Sequence, residues 1–257
     1  MILTALLAVC CGVLVGFTLG LIGGGGSILA TPLLLYVVGM QEPHLAIGTG
    51  AVAVSANAFM NLTGHARAGN VRWSTAAIFA AAGVLGALVG STLGKAFDGQ
   101  RLLILFALLM IVIGALMLRP RRDGSHAPAA LTLSYVLRTA GTGLGVGVLS
   151  GFFGIGGGFL IVPGLIFATG MPMIYAIGTS LFAVGMFGLT TALNYAMSGL
   201  VDWVVAAEYI AGGVVGGMLG MRAAVHLSGR KQTLTRIFAC IVFIVALYML
   251  WRSLRHT

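Results

Sequence analysis

GLIGGGGSILATP, residues 20–32, and GFFGIGGGFLIVP, residues 151–163, are two versions of one stretch. Each sets several glycines in apolar sequence and closes on a proline. Glycine weakens a helix and permits positive φ, and proline removes a backbone donor. Apolar segments interrupted in this way, at corresponding places in two halves of a chain, are the sequence pointer to a binding site inside a membrane.

The rest of the composition agrees with a membrane setting. The chain has 257 residues, 59% hydrophobic and 7% charged, with a mean hydropathy of +1.08. A soluble domain carries about 25% charged residues, so this chain cannot cover a water-facing surface. It reads as an all-α polytopic membrane protein. The net charge of +9 does not mark a nucleic-acid binder, because the Lys and Arg residues are spread between apolar segments and no nucleic-acid motif accompanies them. Cys10, Cys11 and Cys240 lie in apolar segments and give neither a disulfide framework nor metal spacing. Residues 1–22 lack the basic start of a signal peptide and read as the first membrane segment.

Five apolar segments, near 2–22, 26–41, 44–64, 73–94 and 101–118, precede a polar linker at 119–130. Five more follow, near 131–153, 157–171, 174–199, 201–223 and 233–252. Most reach the ~20 residues that cross a bilayer as helix; the second of each half falls short. The halves, 1–118 and 131–257, read as repeats. At an offset of 131, Gly16, Gly20, Gly23, Gly25, Gly26 and Pro32 meet Gly147, Gly151, Gly154, Gly156, Gly157 and Pro163. At an offset of 130, Ala46-Ile47-Gly48-Thr49 meets Ala176-Ile177-Gly178-Thr179, Trp73 meets Trp203, and Gly83, Gly86 and Gly90 meet Gly213, Gly216 and Gly220.

Charge arbitrates orientation, since cytoplasmic loops are enriched in Lys and Arg. With five crossings per half and a cytoplasmic linker, Arg67, Arg72, Arg119, Arg121, Arg122, Arg138, Arg222, Arg230, Lys231 and Arg236 fall inside. Lys95, Arg101, Arg252 and Arg255 then fall outside. An odd number of crossings inverts the second half, so inverted repeats with both termini outside are expected. Whether the short second segments span or re-enter is open at this point.

Proline suits the first turn of a helix and Thr31 suits an N-cap. Half-helices are therefore expected to begin near Pro32 and Pro163, with Gly23, Gly24, Gly25, Gly26 and Ser27 as irregular backbone before the first. The matching stretch contains Gly154, Gly156, Gly157 and Gly158. Irregular backbone at membrane depth must be buried in protein or line a wet cavity. A helix N-terminus offers free N–H groups and partial positive charge, which together hold an anion without a buried Lys or Arg. Close packing is the other use of membrane glycines, and it is assigned to Gly83, Gly86, Gly90, Gly213, Gly216 and Gly220. Neither stretch continues as Gly-Lys-Ser/Thr, which excludes a phosphate loop. Neither opens a strand–turn–helix unit, which argues against a dinucleotide site.

The two Gly-Pro stretches, His44-Leu45-Ala46-Ile47-Gly48-Thr49 with Tyr175-Ala176-Ile177-Gly178-Thr179-Ser180, and Gly69-Asn70-Val71-Arg72-Trp73 with Gly199-Leu200-Val201-Asp202-Trp203 carry a resemblance. Over nearly its whole length the chain resembles the TauE/SafE family of membrane permeases, the sulfite-exporter-like proteins. The resemblance implies movement of sulfite, sulfonates or other small sulfur-containing or organic anions. The first half has Thr49-Gly50 where the second has Thr179-Ser180, so a hydroxyl contact from that second position is expected from the second half only.

Thr49, Thr179 and Ser180 are candidate binding residues through their motif. Asn57 and Asn194, with Asn61, offer uncharged amides to an oxyanion or hydrogen bonds between helices. Glu208, inside an apolar segment, is a candidate for a coupling proton or an interfacial hydrogen-bonding group. His65, Arg67 and Arg72 read as solvated loop neighbours, and Trp73 and Trp203 as interface anchors. His-Glu-x-x-His, Gly-x-Ser-x-Gly and paired membrane carboxylates are all absent from the sequence, which argues against an enzyme. No cofactor or metal is implied. A multi-pass protein of the bacterial inner membrane that transports small anions by alternating access is expected. A channel and proton-coupled uptake are the alternatives, and a homodimer is compatible with the sequence.

Overall fold

The computed structural model describes residues 2–118, 132–154, 158–226, 240 and 242–252; the linker 119–130, Gly156 and Gly157 lie outside them. The described chain is helical, without strands. α1 spans Ile2–Ile22. A 3-10 turn, Gly23–Leu29, leads into α2, Ala30–Leu33, and a π turn, Leu34–Val38. Next come α3 (Pro43–Arg67), α4 (Trp73–Ala96), α5 (Gly99–Leu118), α6 (Leu133–Phe153), α7 (Gly158–Thr169), α8 (Met173–Ala196) and α9 (Trp203–His226). α10 is Val242–Arg252. Six of these helices, α1, α3, α4, α6, α8 and α9, are long and apolar enough to cross a membrane.

Glycine decides which helices touch most closely. A Cβ on Gly12, Gly16 or Gly20 would strike the backbone of α9 at Tyr209, Gly213 or Gly217. A Cβ on Gly143, Gly147 or Gly151 would strike α4 at Phe79, Gly83 or Ala87. These are the same contacts, shifted by 131 in one partner and 130 in the other. Without a hydrophobic drive between helices in lipid, such close approach supplies the packing. The close-packing assignment of Gly83, Gly86, Gly90, Gly213, Gly216 and Gly220 follows directly, since each faces a backbone or side chain at sub-contact distance. Two cross-half hydrogen bonds pair likewise. Thr49 Oγ1 accepts from Asp202 N at 2.9 Å and Thr179 Oγ1 from Arg72 N at 3.0 Å. Among the described residues, six glycines at positive φ fall into three matched pairs: Gly23 with Gly154, Gly39 with Gly170, and Gly69 with Gly199.

Contact order along each pair sets direction. α1 and α3 both meet α9 with residue numbers rising together: Gly12, Gly16 and Gly20, and Asn57, Asn61 and Gly64, against Tyr209 to Met221. α4 meets α6 and α8 in the same rising sense, at Gly86–Leu144, Gly94–Phe152, Gly83–Phe187 and Lys95–Ser198. α3 and α8 run oppositely: Ala51 lies by Gly188, and Ser55 Oγ donates to Gly185 O at 2.8 Å. Hence α1, α3 and α9 point one way and α4, α6 and α8 the other.

This fixes the path of the short second segments. Gly20 and Asn61 sit at one level, with a Cβ on Gly20 only 3.1 Å from Asn61 Oδ1. Pro43 lies on α3 about 27 Å below that level at 1.5 Å per residue. The chain from Gly23 to Glu42 therefore returns through that depth before α3 begins, and α7 runs back in the same way between the parallel helices α6 and α8. The apolar helices in these stretches, Gly26–Val38 and Gly158–Thr169, are shorter than a straight spanning helix. The glycine turns and the residues after Gly39 and Gly170 make up the distance.

Candidate functional site

The first glycine stretch is more regular than its composition suggests. Ile22 ends α1, and Gly23 turns the chain at φ +75°. Helical winding then continues from Gly23 to Val38 through 3-10, α and π geometry. Pro32 lies inside this run, and Thr31 caps nothing: its Oγ1 is buried with no hydrogen-bond partner, 3.7 Å from where a Cβ on Gly50 would stand. Likewise Pro163 sits within α7, five residues after Gly158. The half-helices thus begin at the glycines, not at the prolines. Proline tolerates such sites in membrane helices because neighbours re-satisfy the freed backbone. The irregular backbone expected at residues 23–27 is replaced by tight winding, which keeps its N–H groups near one axis.

The two stretches come together. The turn Gly23–Leu29 packs against α7 of the other half and against α8. Gly23 abuts Ile177, where a Cβ would lie 2.8 Å from Cγ2, and Gly154 abuts Ile47 in the same way. Gly26 is pressed on Thr18 and Leu19 of α1. Gly23, Gly26, Ser27 and Gly158 are all buried, so protein covers this backbone as membrane depth requires. No Lys or Arg occurs in residues 23–38 or 158–169.

The other sequence candidates divide. Thr49 and Thr179 lie one turn beyond Ile47 and Ile177, but each oxygen already receives a backbone N–H from the other half. They lock the halves together. Ser180 Oγ donates to Ile177 O at 2.7 Å within its own helix, so the asymmetric hydroxyl is spent locally. Asn194 sits far along α8, where its amide donates to Ser91 Oγ and Thr92 Oγ1 and its Oδ1 accepts from Lys95 Nζ at 2.8 Å. It belongs to an α4–α8 polar cluster. Asn57 is wholly buried with both amide atoms unpartnered, set against Gly213. Glu208 is half-buried near the start of α9. Trp73 and Trp203 begin helices of opposite direction and are 53% and 63% exposed, as interface anchors are. Arg67 is exposed, and Arg72 lies 4.3 Å over the Tyr175 ring.

His65 departs from its sequence reading. It is buried in the last turn of α3, where neither ring nitrogen makes a well-formed hydrogen bond and the backbone of Gly20 on α1 is its polar neighbour. The missed signal was its spacing of four from Asn61 and eight from Asn57, which places all three on one helical face. No cluster of three or more His, Cys, Asp or Glu forms among the described residues.

Known proteins agree with this architecture. The family model described as sulfite exporter TauE/SafE matches residues 8–249. The chain is 60% identical over 243 residues to a probable membrane transporter protein of Xylella fastidiosa, covering 94% of this chain and 93% of that one. It is 26% identical over 269 residues to a probable membrane transporter protein of Bacillus subtilis, covering 95% and 96%. It is 28% identical over 263 residues to another from Haemophilus influenzae, covering 95% and 97%. No solved structure matches it significantly. With the doubled glycine motif, the all-helical membrane fold and a match spanning almost every residue, the chain belongs to the TauE/SafE family of multi-pass membrane transporters.

Proposed function

We propose that this chain is a secondary transporter of small anions, of the sulfite and organosulfonate class, working by alternating access between two inverted repeats, 1–118 and 131–257. The observation that carries the reading is the seating of the Gly23–Leu29 turn on α7 of the other half, in backbone free of Lys and Arg. Amides at helix starts hold an oxyanion there without a fixed cation, so the anion binds without being trapped. The antiparallel pair α3 and α8, joined at Ser55 and Gly185, supports a pseudo-two-fold axis crossing the helices, and the matched contacts support two exchangeable states. An inside-negative potential favours anion efflux by about 2.3 kcal/mol per charge per 100 mV, which suits export.

The test is labelled flux into proteoliposomes for sulfite, sulfate, thiosulfate, sulfoacetate and plain carboxylates. At least one sulfur oxyanion should move, and Gly25→Leu or Gly156→Leu should cut its flux at least ten-fold in protein that still elutes as a folded species. Absence of flux for every anion would sink the proposal, and ion-channel rates would reject alternating access.

A further inference from the structure

We propose that His65 is the proton-carrying group of this transporter, reached through a polar thread of His65, Asn61 and Asn57 along α3, so that anion and proton movements are coupled. This rests on the transport reading above. The three side chains are 5%, 5% and 0% exposed. Asn61 Nδ2 donates to Asn57 O at 2.9 Å, while the Asn57 amide has no hydrogen-bond partner and the His65 ring has only the backbone of Gly20 as a polar neighbour, without a well-formed hydrogen bond. Buried polar atoms are normally satisfied, so such a row asks for a role. Its bed is made of glycine: side chains at Gly213 and Gly217 would collide with the Asn57 and Asn61 amides.

The thread is one-sided. The matching residues of α8 are Phe187, Thr191 and Tyr195, of which Thr191 and Tyr195 hold buried, unpartnered hydroxyls. α8 runs opposite to α3, so this second row lies toward the other end of the molecule. Of these six side chains, His65 alone changes charge in the ordinary range of about pH 5 to 8. Ionisable groups within a membrane mark proton paths in pumps and transporters. Arg67 on its own helix and Arg222 on α9 lie at the same end, both exposed, with Tyr175 of α8 beneath Arg72. Tyr209 and Cys11 are buried in the lower turns of α9 and α1, and Cys10 is exposed. None hydrogen-bonds the imidazole. Glu208, the sequence candidate for this task, sits at the opposite end from His65 and off the thread.

In the coupled step a proton binds one imidazole nitrogen on one side and leaves it on the other, and the anion crosses in the same cycle. The test uses the full chain in liposomes holding a pH-sensitive dye, with labelled thiosulfate, which carries no proton of its own at neutral pH. Wild type should move protons with thiosulfate. His65→Gln should lose at least ten-fold of the proton signal while thiosulfate–thiosulfate exchange persists. Thiosulfate flux without proton movement, or an unchanged proton signal in His65→Gln, overturns the inference. Absence of thiosulfate flux counts against the transport reading for that anion, and a second measurement then decides. Nitrogen NMR of 15N-histidine protein in nanodiscs resolves five histidines, with His65 assigned by its loss in His65→Gln. Titration of His65 within about pH 5 to 8 supports the inference; a single protonation state throughout overturns it.

Discussion

A methyl group on Gly16 would lie against the backbone of Gly213, 2.6 Å from its Cα. Backbone cannot yield as a flexible side chain does, so Gly16→Ala must part α1 from α9. Overpacking of this kind costs about 1–3 kcal/mol, and the thermal unfolding midpoint of purified protein should fall. Gly141 and Gly145 on α6 have open space where a Cβ would stand, and both are exposed. Gly141→Ala should leave the midpoint unchanged or raise it, by up to about 1 kcal/mol of helix preference. The sequence alone cannot separate these glycines. Periodicity places both on helices, and only the neighbour across the seam tells them apart.

At the scale of the element, the two second segments are the ones on which the proposed function rests. Each is hinged by a glycine at positive φ at both ends: Gly23 and Gly39, then Gly154 and Gly170. The inner hinges also touch the other half. Gly23→Ala combines left-handed strain with a clash on Ile177, whereas Gly39→Ala has nothing within 4 Å of the new Cβ. Strain alone costs about 1–2 kcal/mol. Gly39→Ala and Gly170→Ala should therefore lower the unfolding midpoint modestly, and Gly23→Ala and Gly154→Ala more steeply, with anion flux lost in the second pair. Equal effects in all four would contradict the contact of the inner hinges with Ile177 and Ile47. The glycine content of these segments was legible in sequence. Their starting point was not, because the rule that proline opens a helix is local, while Pro32 and Pro163 are accommodated inside helices by surrounding protein.

For the whole molecule, helix direction puts Arg67, Arg72, Arg138 and Arg222 at one end with no described carboxylate. Lys95, Arg101 and Arg252 share the other end with Glu42, Asp98 and Asp202. The wholly basic end is also where α5 stops and α6 starts. The positive-inside bias then makes it cytoplasmic. A reporter fused within residues 122–128 should be active only in the cytoplasm, and one fused after Thr257 only outside. The reverse pattern would refute the assignment.

Composition by itself determined that the chain lives in a membrane, since so few charges cannot wet a surface. The repeated glycine, proline and tryptophan register is likewise written in the sequence, and it is what the proposal of two related halves rests on. These are properties of residues along the chain, and counting reads them. Which glycines touch, that the short segments return through about 27 Å of depth, and that His65 is buried beside two amides were decided only by tertiary structure. Each depends on the helix lying opposite, and the residues that make those helices neighbours are separated by more than a hundred positions in the chain.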